Sequence, residues 1–226
     1  MIFPWSGYLK KTSRNLRTII SFIKKLDPDI IGLAEVDAGS YRSQKKNQAQ
    51  IIATALCHRH TYMSKYCKLS LAHMFPIMNK QGNAFLTKDT IEDARFHYFE
   101  KGVKRLVIQL ELKKLTVFLV HLALGYRARQ HQLGDLYSMV KGTKKPHIVV
   151  GDFNAIWGDR EIKLFLAATG LRSAAPSAMP TYPSWKPKRQ LDFILYSPHI
   201  TVTSFAMPKV TLSDHLPLVC DFEIER

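Results

Sequence analysis

IVVGDFNA, residues 148–155, is an apolar run of strand length that ends in oxygen-bearing side chains. Side chains alternate along a strand, so Ile148, Val150, Asp152 and Asn154 share one face, and a carboxylate and an amide extend an apolar row at the strand's end. The pattern recurs outward from this stretch. Val117, Leu119 and His121 line up in the preceding apolar run, and Asp192 shares a face with Ile194 and Tyr196 in LDFILY, residues 191–196. In DIIGLAEV, residues 29–36, Glu35 continues the row of Ile31 and Leu33, a row expected to be buried. Ser213-Asp214-His215 stands immediately before the last apolar run.

Each feature has an ordinary reading: Glu35 pairs with an arginine, Asp152 and Asn154 make a turn, and Asp-His pairs are common. Together they place carboxylates, an amide and imidazoles at strand ends, where like charges repel unless a cation or hydrogen-bond donors offset them. Oxygen ligands of this kind suit hard Mg2+ or Mn2+ and not zinc. A magnesium phosphoesterase site is the economical explanation.

Around these strands the periodicity changes. Thr12 and Ser13 can cap a helix whose stripe is Leu16, Ile19, Ile20, Ile23 and Leu26, ending near Asp27-Pro28. Helices are also expected near residues 48–56, 130–140 and 161–169, with strands at 83–87, 106–112, 115–122, 147–153, 191–196, 200–205 and 216–224. Interspersed helices and strands give an α/β fold, read as one domain over residues 1–226. Residues 173–187 are rich in Pro and Ser and are expected to form a long loop.

The chain has 226 residues, 46% of them hydrophobic, enough to bury a substantial core. Thirty-three Lys and Arg against eighteen Asp and Glu leave +15, a field that attracts polyanions, with a solvated basic surface as the bland alternative. Three scattered cysteines fit no disulfide framework and point to free thiols in a reducing compartment. No apolar run reaches the length of a membrane span and the opening residues lack a secretory core, so a cytoplasmic enzyme is the default expectation.

GLAEVD, QGNAFLTK, VHLAL, VVGDFNA, TYPSWKPKRQLDFIL and SDHLPLVCDFEI occur in this order. From about Leu26 to the C-terminus the chain thereby resembles the endonuclease/exonuclease/phosphatase family. The resemblance implies a DNase I-like four-layer α/β sandwich, two packed mixed sheets flanked by helices. It also implies hydrolysis of phosphate esters with Mg2+ or Mn2+. By resemblance Glu35 is the main metal ligand, and Asp214 matches an acidic position close to the metal and the scissile phosphate. Asp152 resembles the residue that orients and activates the attacking water, and Asn154 the one that positions a phosphate oxygen. His215, held in its tautomer by Asp192, resembles the imidazole that contacts the phosphate, and His121 a further stabiliser of its charge.

Family members begin with a strand carrying a metal-positioning asparagine. Only MIFPWSGYLKK precedes the first helix, and Asn15 falls inside that helix, so the expectation is a sequence without this strand, by truncation or by loss. The positive charge favours a nuclease acting on DNA or RNA over enzymes of inositol phosphates or lipid headgroups. A non-catalytic polyanion-binding protein is the rival from another class.

Trp185, in a basic loop with Lys186, Lys188 and Arg189, is placed to stack on a base, with packing of the loop as the alternative. Arg42, soon after Glu35, is a candidate phosphate contact or a surface arginine. Cys57, His58, His60 and Cys67 are zinc-ligand types, but their spacing fits no common zinc pattern.

Overall fold

Leu16, Ile19, Ile20 and Ile23 recur at helical spacing and pack with Ala49, Ile52, Ala53, Ala84 and Leu86 as the core of the amino-terminal unit. The computed structural model describes residues 13–37, 47–64, 81–102 and 106–225. These divide between two compact units, Met1–Thr90 and Ile91–Arg226. The residues ahead of the first helix, where a family first strand would fall, lie outside the described residues, as do Arg42 and Cys67.

In the first unit α1 (Ser13–Leu26) ends where Asp27 turns left-handed ahead of Pro28. Leu26, read as the end of the stripe, is exposed instead, because it lies in the last turn as the chain leaves the helix. α2 (Gln48–Leu56) starts where the Asn47 side chain accepts from the Gln50 amide, and it ends with Cys57 left-handed. The His58 and Cys57 amides then donate back to the carbonyls of Ala53 and Thr54, a Schellman closure. β1 (Ile30–Asp37), β2 (Arg59–Ser64) and β3 (Gln81–Thr87) form an antiparallel sheet in the order β1-β3-β2. The sequence RHTYMS of β2 lacks apolar alternation; its strand state is imposed by pairing with the wholly buried β3.

In the second unit β4 (Asp93–Tyr98), β5 (Leu106–Glu111), β6 (Thr116–His121), β7 (His147–Asp152), β8 (Arg172–Ser173) and β9 (Asp192–Tyr196) form a sheet in the order β4-β5-β6-β7-β9-β8. β6 and β7 are parallel, joined through α3 (Tyr126–Gly142), and the remaining neighbours are antiparallel. α4 (Arg160–Thr169) follows β7, and β10 (Ile200–Ala206) pairs with β11 (Val219–Ile224) as a separate two-stranded sheet. Every residue of β6 is buried, as a central strand covered on both faces requires. One face packs Phe118 and Val120 with Leu133, Leu136 and Val140 of α3 and with Phe153, Phe165, Phe193 and Leu195. The Phe153 ring meets Phe193 edge-on, with centroids 5.4 Å apart.

α3 begins four residues ahead of the expected Gln130, since its first turn carries polar residues that hide the periodicity. β4 was not legible because it is an edge strand with charged and exposed positions. Residues 174–190 form the expected long loop, which a bridge between Tyr182 and Arg189 ties at its far end.

Candidate active site

The register of the central sheet puts three of the expected residues in one transverse row: His121 stands opposite Asp152 across β6–β7, and Asp152 opposite Asp192 across β7–β9. His121 Nε2 lies 3.1 Å from Asp152 Oδ2, and both side chains are buried. The approach of β6 to β7 depends on Gly151. Its φ of 137° is one that L side chains rarely adopt, and a Cβ there would run into the Val120 carbonyl oxygen.

β7 ends at Asp152, so strand alternation is not what carries Asn154 to the row. Asn154 is left-handed, with φ of 50°, and its backbone amide donates to Asp152 Oδ1 at 2.8 Å. Its side-chain Nδ2 donates to Asp152 Oδ2 at 3.0 Å and to the Leu122 carbonyl at 2.8 Å. In this arrangement the amide spends both protons inside the protein, so its direct effect is to orient the Asp152 carboxylate.

His215 Nδ1 pairs with Asp192 Oδ2 at 2.7 Å, and the Tyr182 ring lies 4.9 Å from the imidazole, centroid to centroid. Burial disfavours the charged imidazole, but the hydrogen bond and charge of Asp192, joined by the charges of Asp152 and Asp214, outweigh it and push its pKa up to about 9. At neutral pH the ring is therefore a cation, held as a donor on Asp192. Thr181, which the sequence reading missed, is wholly buried and donates to Asp192 Oδ2 at 2.6 Å while accepting from the amides of Leu191 and Asp192. It opens the stretch TYPSWKPKRQLDFIL, but no periodicity relates it to Asp192; only the return of the loop does.

Asp214 is exposed and takes the Ser213 hydroxyl, while its carbonyl accepts from the Ser184 amide and so ties the Ser213–His215 segment to the long loop. Beyond Ser184, Trp185 is 65% exposed and Lys186, Lys188 and Arg189 are exposed with it. The backbone amides of Lys188 and Arg189 both donate to the Tyr182 carbonyl, which holds these side chains at the tip of a closed loop. Trp157, which the sequence reading did not single out, is still more exposed at 79%.

Glu35, in the first unit, departs from expectation. Ala34 and Glu35 bulge opposite the single residue Asn83, between the pairs Leu33↔Ala84 and Val36↔Gly82. The bulge breaks the alternation, and Glu35 is exposed rather than part of a buried row. Its φ is 56°, and its amide donates to Asn83 Oδ1 at 3.3 Å. Alternation arithmetic fails here because it assumes a regular ladder.

Among the described residues no group of three or more His, Cys, Asp and Glu side chains is arranged to hold a metal. Glu35 and Asp214 are each exposed carboxylates, the hard oxygen-donor chemistry that magnesium and manganese take. His58, among the residues weighed for zinc, is engaged at both ring nitrogens by the carbonyls of Leu56 and Pro28.

Human Nocturnin is 32% identical to this chain over 117 residues, a match covering 40% of the chain and 27% of Nocturnin. The chain thus corresponds to about a quarter of the length of that curated relative. The solved human Nocturnin catalytic domain with bound sulfate superposes with a TM-score of 0.68 at 24% identity, covering 96% of this chain and 90% of that one. ANGEL2, a 2',3'-cyclic phosphatase solved with adenosine-2',3'-vanadate, gives a TM-score of 0.71 at 17% identity over 95% and 87% of the two chains. The fold these structures share is the DNase I-like α/β arrangement of mixed sheets flanked by helices that the motif order implied. With the endonuclease/exonuclease/phosphatase family model matching residues 5–215, across both units, the chain belongs to that family.

Proposed function

We propose that the chain is a divalent-metal-dependent phosphodiesterase that hydrolyses nucleic acid. The observation that carries this reading is the row His121, Asp152 and Asp192, with Asn154 and His215 bonded onto it, which sets an acceptor carboxylate beside a charged imidazole donor. Asp152, oriented by Asn154 and His121, takes the proton of an attacking water, which reaches phosphorus in line with the leaving oxygen. The His215 imidazolium, aimed by Asp192, donates to a phosphoryl oxygen and offsets its growing charge, with His121 as a further stabiliser of that charge. Glu35 would be the main ligand of Mg2+ or Mn2+, with Asp214 near the ion and the phosphate; the ion when bound supplies Lewis-acid stabilisation of the phosphoryl oxygens.

The nucleic-acid substrate is supported by the +15 charge and by the exposed Trp185, Lys188 and Arg189 on the loop that carries Thr181 and leads into Asp192. The adenosine-bearing ligand of ANGEL2 fits the same reading. Arg42 would add a phosphate contact.

The test is cleavage of labelled DNA, labelled RNA and a generic aryl phosphodiester with magnesium, manganese or chelator. Metal-dependent cleavage of a nucleic acid is expected, and Asp152→Ala, His215→Ala and Glu35→Ala should each lower turnover by at least about a hundredfold in a folded protein. Activity confined to soluble sugar phosphates would overturn the nucleic-acid reading, and polyanion binding without any cleavage would favour a non-catalytic binder.

A further inference from the structure

Arg129 is the bulkiest wholly buried side chain among the described residues, in a helix whose buried face is otherwise Gln132, Leu133, Leu136 and Val140. A buried ion pair seldom stabilises a fold more than well-packed apolar residues of the same volume would, so an arginine here asks for a geometric explanation. Its guanidinium supplies one. Nε donates to Glu161 Oε1 at 2.7 Å, while Nη1 donates to the carbonyls of Ala123 at 2.9 Å and Leu124 at 2.8 Å. Gln132, one turn along α3, accepts from the Ala123 amide at 2.8 Å and donates to the Lys101 carbonyl at 2.8 Å. The peptide groups on both sides of Ala123 are therefore gripped by α3 side chains.

Ala123 lies two residues beyond His121, and the intervening Leu122 is tied into the candidate site. Its amide donates to the Asp152 carbonyl, and its own carbonyl takes the Asn154 side chain. Glu161, in the first turn of α4, closes the loop that begins at Asn154, and its second oxygen takes Gln130 Nε2 at 2.8 Å. Arg129–Glu161 thus cross-ties the loop after His121 to the loop after Asp152. Among the described residues Arg129 Nη2 has no hydrogen-bond partner, so the guanidinium is held by Nε and Nη1.

We infer that Arg129, Gln132 and Glu161 are positioning residues that set the mutual geometry of His121, Asp152 and Asn154 by clamping the loop after β6. As a statement about turnover this rests on the proposed reaction; as a statement about geometry it does not. A rigid planar fork meets the carboxylate with Nε and the two carbonyls with Nη1, a fixed two-nitrogen geometry that neither an apolar side chain nor the single ammonium of a lysine reproduces.

The experiment uses the full chain with Arg129→Met/Glu161→Leu, which removes both charges together so that none is left unpaired. The first readout is the Asn154 side-chain amide pair by NMR, assigned with Asn154→Ser. The second is kcat and KM on a phosphodiester that the wild type cleaves, beside thermal unfolding. A folded double variant should shift the Asn154 amide signals toward those of solvated asparagine and lower kcat by at least about tenfold while KM changes less than about threefold. Wild-type Asn154 signals and wild-type kcat in that variant would overturn the inference. Should it fail to fold, Arg129→Lys, which keeps a positive charge but has one ammonium where the guanidinium sets one nitrogen on Glu161 and another on the two carbonyls, is expected to show the same loss; full kcat there refutes the clamp. Displaced Asn154 signals in either variant, alongside a wild type that cleaves no phosphate ester, would uphold the positioning role and defeat the proposed function.

Discussion

Thr181→Val removes one hydroxyl and little else, and the structure specifies what that hydroxyl does. It donates to Asp192 Oδ2 at 2.6 Å and accepts from the Leu191 amide at 3.2 Å and the Asp192 amide at 3.3 Å, all from a wholly buried side chain. A hydrogen bond to a charged group is worth about 1.5–3 kcal/mol, and a buried donor left unsatisfied costs about 1–3 kcal/mol. The two amides share one acceptor at long distance and count together as one weak bond, so the expected destabilisation is about 2–4 kcal/mol. With a urea slope of about 2 kcal/mol/M, the unfolding midpoint should fall by about 1–2 M. Asp192 would keep His215 but lose its second tether, and kcat should drop by about tenfold as the imidazole loses its aim. Thr181→Ser, which keeps the hydroxyl, should recover most of both quantities. A Thr181→Val midpoint within about 0.3 M of wild type, with unchanged kcat, would refute the assignment of Thr181 as the group that holds Asp192 in place.

Further expectations follow from the same geometry. His215 should titrate by NMR with a midpoint near 9 rather than the ordinary 6.5, and Asp192→Asn should bring it down. Because the folded-state pKa is raised, the charged ring contributes stability in full below about pH 6.5 and loses it as pH rises through about 9; Asp192→Asn should flatten that decline in thermal unfolding scans. Gly151→Ala, strained at a φ of 137° and driven against the Val120 carbonyl, should cost at least about 2 kcal/mol by denaturant unfolding, and an unaltered midpoint would contradict the close approach of β6 and β7. If the tip of the long loop lies along a phosphate backbone, Lys188→Ala and Arg189→Ala should each make the dependence of log Kobs on log salt shallower by about 1, and an unchanged slope would remove the loop from the interface.

The sequence by itself determined the family, the α/β class, most of the element order and the types of residue at the candidate site. Motif order and apolar alternation are local properties of the chain, and the apolar runs at 115–122, 147–153 and 191–196 could hardly be anything but central strands. Because β6, β7 and β9 are regular up to their ends, counting along them did place His121, Asp152 and Asp192 at strand termini. That the three form one row was decided by register, which depends on which strands pair and so on the whole sheet. The same arithmetic failed at Glu35, where a bulge opposite Asn83 inserts an extra residue, and at Asn154, whose left-handed backbone, not strand alternation, returns its side chain to Asp152. Thr181 and Arg129 were invisible for a different reason. Each is polar and buried, a combination that sequence patterning reads as surface, and only the tertiary structure supplies the carboxylates and carbonyls, 11 and 32 residues away for Asp192 and Glu161, that make such burial tolerable.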